Sequence, residues 1–154
     1  MAAQYLGIDI AKHKFDVALL VEDLFKMNVF DNDNQGFDQL LSWLKTEGEI
    51  SSCHACLEST GQYGEALAEF LFHHQITVSV VNPAQIKGFS ISLLARNKTD
   101  KTDAQLIAKF CQATRPYYWQ PEPTSIKELK ALVRRLDDLK AIMQQEKIVW
   151  NLPV

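Results

Sequence analysis

Three β-favouring runs follow one another with almost no room between them: "AQYLGIDIA", "HKFDVALLV" and "LFKMNVF". Only a tight polar corner at Ala11–Lys12 separates the first two, and only Glu22–Asp23 the second and third. Gaps this short permit hairpins and exclude crossovers, so the chain must open as a three-stranded antiparallel meander. After that the pattern changes. "DNDNQGFDQLLSWLKTEG" reads as a helix with Asn34 at its cap, Phe37, Leu40, Leu41 and Leu44 inward, and Gly48 as its stop. "SSCHACLE" is a fourth strand, "GQYGEALAEFLFHH" an amphipathic helix, and "ITVSVV" a fifth strand. A helix started by Pro83, a basic loop, and the helix in "KTDAQLIAKFCQAT" complete the series.

An antiparallel start leading into alternating strands and helices predicts a mixed five-stranded sheet with helices on both faces. That is the layout of the ribonuclease H-like fold, whose core the actin-like ATPases share. The boundaries expected are a domain over 1–115, a Pro-rich linker over 116–123 in "RPYYWQPEP", and a long helix over 124–154. In that helix Leu129, Leu132, Leu136, Leu139 and Met143 keep a three-four alternation, interrupted at Glu146 and resumed at Trp150. Such a seam serves a coiled coil in an oligomer or longer parent protein, or a helix folded back on its own domain.

Composition narrows the class. With 47% hydrophobic and 23% charged residues the chain has a globular balance, and a net charge of -3 offers no whole-molecule attraction for nucleic acid. Any such binding must come from a local basic patch. No apolar run approaches the roughly 20 residues of a membrane span, and the N-terminus has no secretory pattern. Cys53, Cys56 and Cys111 form an odd set, which suits a reducing cytoplasmic setting. "CHAC" has the spacing of a metal knuckle but lacks a second pair of ligands, so Cys53 and Cys56 read as buried thiols.

The chemistry-bearing residues are carboxylates. Asp9 lies late in the first strand, Glu58 closes the fourth, and "RNKTDKTDA" places Asp100 and Asp103 three residues apart among Arg96, Lys98 and Lys101. In open sheets of this kind ligands gather at the carboxyl ends of neighbouring strands. Spacing of i, i+3 puts Asp100 and Asp103 on one face of a helical start. Four converging anions require shared cations, and hard oxygen donors suit Mg²⁺ or Mn²⁺. Paired ions of that kind activate an attacking oxygen and stabilise a leaving one at phosphorus. Arg96, Lys98 and Lys101, with Lys12 and His13 at the first hairpin corner, are the candidate phosphate contacts. Each carboxylate also has a structural reading: a turn former at Asp9, a loop group at Glu58, favourable helix-start charges at Asp100 and Asp103. Thr99 and Thr102 read as caps or supporting groups.

In order and spacing, "GIDIAKHKFDV", "CLESTGQYG", "VVNPAQIKGFS" and "RNKTDKTDA" resemble the N-terminal, RuvC-like domain of the DEDD transposases of one bacterial insertion-sequence group. That group includes the Piv-type site-specific DNA invertases. The resemblance covers roughly residues 4 to 150. It implies a DEDD tetrad at Asp9, Glu58, Asp100 and Asp103, dependence on Mg²⁺ or Mn²⁺, and DNA strand cleavage and exchange in transposition. It further implies a structured guide RNA as partner, dimers or tetramers formed through the C-terminal helix, and a second domain carrying a catalytic serine. Ser59, Ser90, Ser92 and Ser125 do not match that serine's motif, so the chain is expected to be the first part of a longer protein. Two other readings stay open: a non-catalytic module for dimerisation or nucleic-acid binding, and a stand-alone nuclease of the Holliday-junction-resolvase kind. An actin-like ATPase would want a glycine-rich phosphate turn after the aspartate, where Ala11, Lys12 and His13 stand instead.

Overall fold

A computed structural model describes the backbone of residues 2–59, 61–97 and 102–150, with side chains except in 94–97 and 148–150. Strands β1 (Gln4–Ile10), β2 (Lys14–Val21) and β3 (Leu24–Asp31) form the expected meander. Helix α1 (Asn34–Glu47) leads to β4 (Cys53–Glu58), α2 (Glu65–His73) to β5 (Thr77–Val81), and helices α3 (Pro83–Asn97), α4 (Asp103–Thr114) and α5 (Thr124–Trp150) complete the chain. The sheet has five strands in the order β3-β2-β1-β4-β5. β1 is antiparallel to β2 and parallel to β4, which is parallel to β5. This is the strand order and polarity of the ribonuclease H-like, RuvC-like fold.

Local chemistry explains the corners. Glu22 and Asp23 both take positive φ, 50° and 66°, giving the two-residue turn whose twist matches a hairpin with Val21 opposite Leu24. The cap of α1 differs from expectation: Asp33, not Asn34, is the N-cap, and its side chain accepts from the Gly36 amide at 2.8 Å. The cause lies outside the helix. A Cβ on Gly36 would overlap the carbonyl of Asp31, so this turn packs on the end of β3 and draws the helix start one residue back. Phe37, Leu40, Leu41 and Leu44 are buried as the pattern predicts.

Two apolar layers sandwich the sheet. On one face Leu6, Ile8, Phe15, Val17 and Leu19 meet Phe37, Leu40 and Leu44 of α1 and Leu67 and Leu71 of α2. On the other Tyr5, Leu20, Cys56 and Val81 meet Ile107, Ala108, Phe110 and Cys111 of α4, with Ile86 of α3. Strand alternation divides the thiols between the layers, Cys53 to the first and Cys56 to the second, and all three cysteines are buried and free.

The chain divides into two compact units, Met1–Gln120 and Pro121–Val154. Within the first, the stretch after α4 lies along β5. Trp119 donates its amide to the Val78 carbonyl at 2.6 Å, and Ser79 donates its hydroxyl to the Pro116 carbonyl at 3.1 Å. Trp119 packs on the first layer and on Phe72, whereas Tyr117 is 98% exposed. In the second unit α5 leaves Leu129, Leu132, Leu136, Leu139 and Met143 exposed along one stripe. No helix among the described residues is long and apolar enough to cross a membrane.

Candidate carboxylate site at the sheet end

β1 is the central strand, and its C-terminal end is where chemistry-bearing residues collect. Asp9 pairs across the antiparallel register with Asp16 of β2, which in turn pairs with Val29 of β3. On the other side Ile8 pairs with Leu57, so Asp9 and Glu58 each follow a paired residue at the ends of two parallel neighbours. Glu58 pairs outward with Val81. Three adjacent strands therefore carry carboxylates at this end of the sheet, in a row closed at each side by a valine.

The fourth contribution comes from above the sheet. Asp103 is the first residue of α4, and Thr102 caps that helix in a capping box: its hydroxyl accepts from the Gln105 amide while the Gln105 side chain accepts from the Thr102 amide. Gly7 permits the approach. A Cβ there would overlap the Ala104 carbonyl oxygen and the Ala108 amide, so only glycine lets α4 lie so close to β1. The start of α4 is thereby held over the end of β1. An open trough of about 580 Å³ lies there, lined by Asp9, Asp16, Asp103 and Thr102 and, from β3, by Met27, Asn28 and Val29.

The electrostatics agree with this convergence. Burial, then the charges of Asp103 and Asp16, raise the Asp9 carboxyl above its ordinary value. Burial, then the charges of Asp9 and Asp103, raise Glu58 likewise. Among the described residues no cation forms an ion pair with either; Lys26 pairs instead with Glu47, Lys109 with Asp23 and Lys130 with Glu122. Crowded carboxylates with raised affinity for protons and oxygen-only donors match a hard divalent cation in chemistry. Among the described residues, however, no three His, Cys, Asp or Glu side chains are spaced to hold an ion together.

The other expected residues distribute as follows. Asp100, Lys98 and Lys101 lie outside the described residues, as does the side chain of Arg96 in α3. α4 begins at Asp103 after an extended Thr102; the i, i+3 relation expected of Asp100 and Asp103 falls partly outside the described residues. Lys12 and His13 are exposed at the β1–β2 corner, at the same sheet end as Asp9. Asn32 clamps that corner, donating to the carbonyls of Ala11 and Tyr63 at 3.0 Å each.

Asp16 and Gly7 have parts in this geometry that the sequence did not suggest. The signal for Asp16 was a charged residue between Phe15 and Val17, but only the strand register sets it opposite Asp9.

Comparison with known proteins gives a consistent family. A family model described as a transposase, of the DEDD type, matches residues 6–149. Two relatives, each a "Pilin gene-inverting protein", from Moraxella lacunata and Moraxella bovis, are 36% identical over 148 residues. That is 96% of this chain and 46% of each relative, so the chain spans about half their length. Among solved structures, the chain is similar to T. thermophilus RuvC in complex with a Holliday junction substrate: 11% identity, TM-score 0.48, 76% of this chain and 99% of that one. It is also similar to YeaZ from Pseudomonas aeruginosa: 14% identity, TM-score 0.39, 62% of this chain and 50% of that one.

Proposed function

The chain belongs to the DEDD transposase family, and from that premise we propose that it is the metal-dependent DNA-cleaving domain of a transposase or site-specific recombinase. The carboxylate row at the end of β1 and β4, with Asp103 brought over it by α4, carries the reading. Nothing in the fold's stability calls for three mutually repelling carboxylates at one sheet end, whereas an ion between them turns the repulsion into affinity. Asp9, central in the row, would hold the ion, with Glu58 and Asp103 completing its ligands; Asp100, next in the family pattern, is assigned to the same set.

When bound, Mg²⁺ or Mn²⁺ supplies an activated oxygen nucleophile and stabilises charge on the leaving oxygen of a phosphodiester. The chain's own part is positional. β1 and β4 fix Asp9 and Glu58 as parallel neighbours, and the capping box fixes the direction in which α4 presents Asp103. Lys12, His13, Arg96, Lys98 and Lys101 are proposed to take the DNA backbone, since a net charge of -3 leaves only local cations for that purpose. The family further suggests a structured guide RNA, a cytoplasmic setting, and assembly into dimers or tetramers through the stripe on α5. The two relatives are named as inverting a pilin gene; a DNA-rearranging role for the whole protein is carried over from them.

The test is Mn²⁺ calorimetry on the parent chain and on Asp9→Asn/Asp103→Asn. Heat in the parent and none in the variant is expected. Equal heats would overturn the metal site and favour the second reading, a module for assembly alone, for which the exposed stripe on α5 is the supporting observation.

A further inference from the structure

Of the carboxylates lining the trough, Asp16 is the one that the proposed tetrad leaves without a part. It stands directly across the β1–β2 ladder from Asp9, and both line the trough below Thr102 and Asp103. Like charges directly opposite one another weaken a strand pair. A neutral side chain at position 16 would serve the sheet better, and β2 has no shortage of them: Val17, Ala18, Leu19 and Leu20 follow at once. Among the described residues no ion pair compensates Asp16. The repulsion is thus left standing at the edge of an open, water-accessible space, one strand from the residue proposed to hold an ion.

We infer that Asp16 is a positioning residue of the proposed ion site, accepting hydrogen bonds from the water that an ion at Asp9 retains. The inference rests on the metal-site reading above. Magnesium gives up its water reluctantly and is held through few carboxylates, so part of its shell must be oriented by groups that do not touch the ion. Asp9 has Glu58 on one neighbouring strand and Asp16 on the other. Glu58 shares its strand direction with Asp9, while Asp16 lies on the antiparallel side, towards Met27 and Val29 of β3. Met27 and Val29, 45% and 54% exposed, flank the trough with apolar side chains, and the Oδ1 of Asn28 between them already accepts from the Val29 amide at 2.8 Å, so on that side of Asp9 the charged acceptor for ordered water is Asp16.

The experiment is Mn²⁺ affinity by calorimetry on the 154-residue chain with Asp16→Asn, and with Asp16→Thr as a second replacement suited to a strand. About tenfold weaker binding is expected in both, the effect typical of losing a group behind the ligands. The metal-free melting temperature should be no lower than the parent's, because a like-charge pair has been removed. Unchanged affinity in the two Asp16 variants, with binding still lost in Asp9→Asn/Asp103→Asn, overturns the role of Asp16 and leaves the metal site standing. Weaker affinity with a lower metal-free melting temperature makes Asp16 a strand residue only and overturns the inference equally. Full binding in Asp9→Asn/Asp103→Asn overturns both.

Discussion

Gly7 lies directly beneath the backbone of Ala104, so that a single added methyl group would overlap the helix carbonyl above it. This contact between β1 and α4 sets how near Asp103 comes to Asp9, although neither Gly7 nor Ala104 carries any functional group. Replacing Gly7 by alanine should push α4 off the sheet at a cost of about 1–3 kcal/mol, the usual range for overpacking. Thermal melts should report that loss. Calorimetry should show Mn²⁺ binding weakened as well, since the helix start and its carboxylate move together; retained affinity would show that the site does not depend on this approach.

Acid should affect the metal-free chain in an unusual direction. Asp9 and Glu58 are raised above ordinary values of 3.8 and 4.5, first by burial and then by neighbouring carboxylates. The folded state therefore binds more protons than the unfolded chain between the ordinary and the raised values. Stability from these groups is present below the ordinary values and lost as pH rises through the raised ones. Melting temperatures followed downward from neutral pH should show a contribution that Asp9→Asn removes. Mn²⁺ affinity should fall over the same window, because protons and the ion compete for the same oxygens.

Thr102 holds the first turn of α4. Changing it to alanine removes the hydroxyl cap, which is one half of the reciprocal pair with Gln105, at a cost of about 1 kcal/mol. Hydrogen exchange should show faster exchange of the Gln105 amide, which Thr102 now protects at 3.4 Å. Unchanged exchange there would mean that the tertiary contact at Gly7 alone fixes the helix start.

The segment after α4 offers an independent check. Ser79 gives its proton to the Pro116 carbonyl, so the 2.7 Å contact with His54 is a donation from His54 Nε2. Burial lowers the His54 value below the ordinary 6.5. Its contribution to stability is present above 6.5 and lost as pH falls through the lowered value, because the unfolded chain takes up the proton more readily. Fluorescence of Trp119, whose amide is bonded to Val78, should shift with acidification in the parent. In Ser79→Ala the Pro116 anchor is gone, at about 1 kcal/mol, and the shift should come at higher pH.

Much of the molecule was legible in the chain alone, and for a common reason. The meander, the alternation that follows it, the inner face of α1 and the burial of the cysteines rest on periodicity and turn chemistry, which are local. Asp9 and Glu58 could be placed at neighbouring strand ends because strand order follows from connection lengths. The α1 cap was misplaced by one residue because any of Asp31 to Asn34 can cap, and only the contact between Gly36 and the end of β3 chooses Asp33. The helical relation expected of Asp100 and Asp103 falls partly outside the described residues, which include only the start of α4 at Asp103, capped by Thr102.

Asp16 was invisible for a deeper reason. A sequence states that a residue alternates outward from a strand, but not what stands across the ladder from it. Register is a relation between segments, settled by the β1–β2 corner, where the Ala11 amide donates to the Lys14 carbonyl at 2.9 Å, by the packing of two layers and by the close seat of α4 at Gly7. Local order thus came from the order of residues, and the opposition of Asp9 to Asp16 beneath Asp103 came from tertiary packing, which alone brings distant charges face to face.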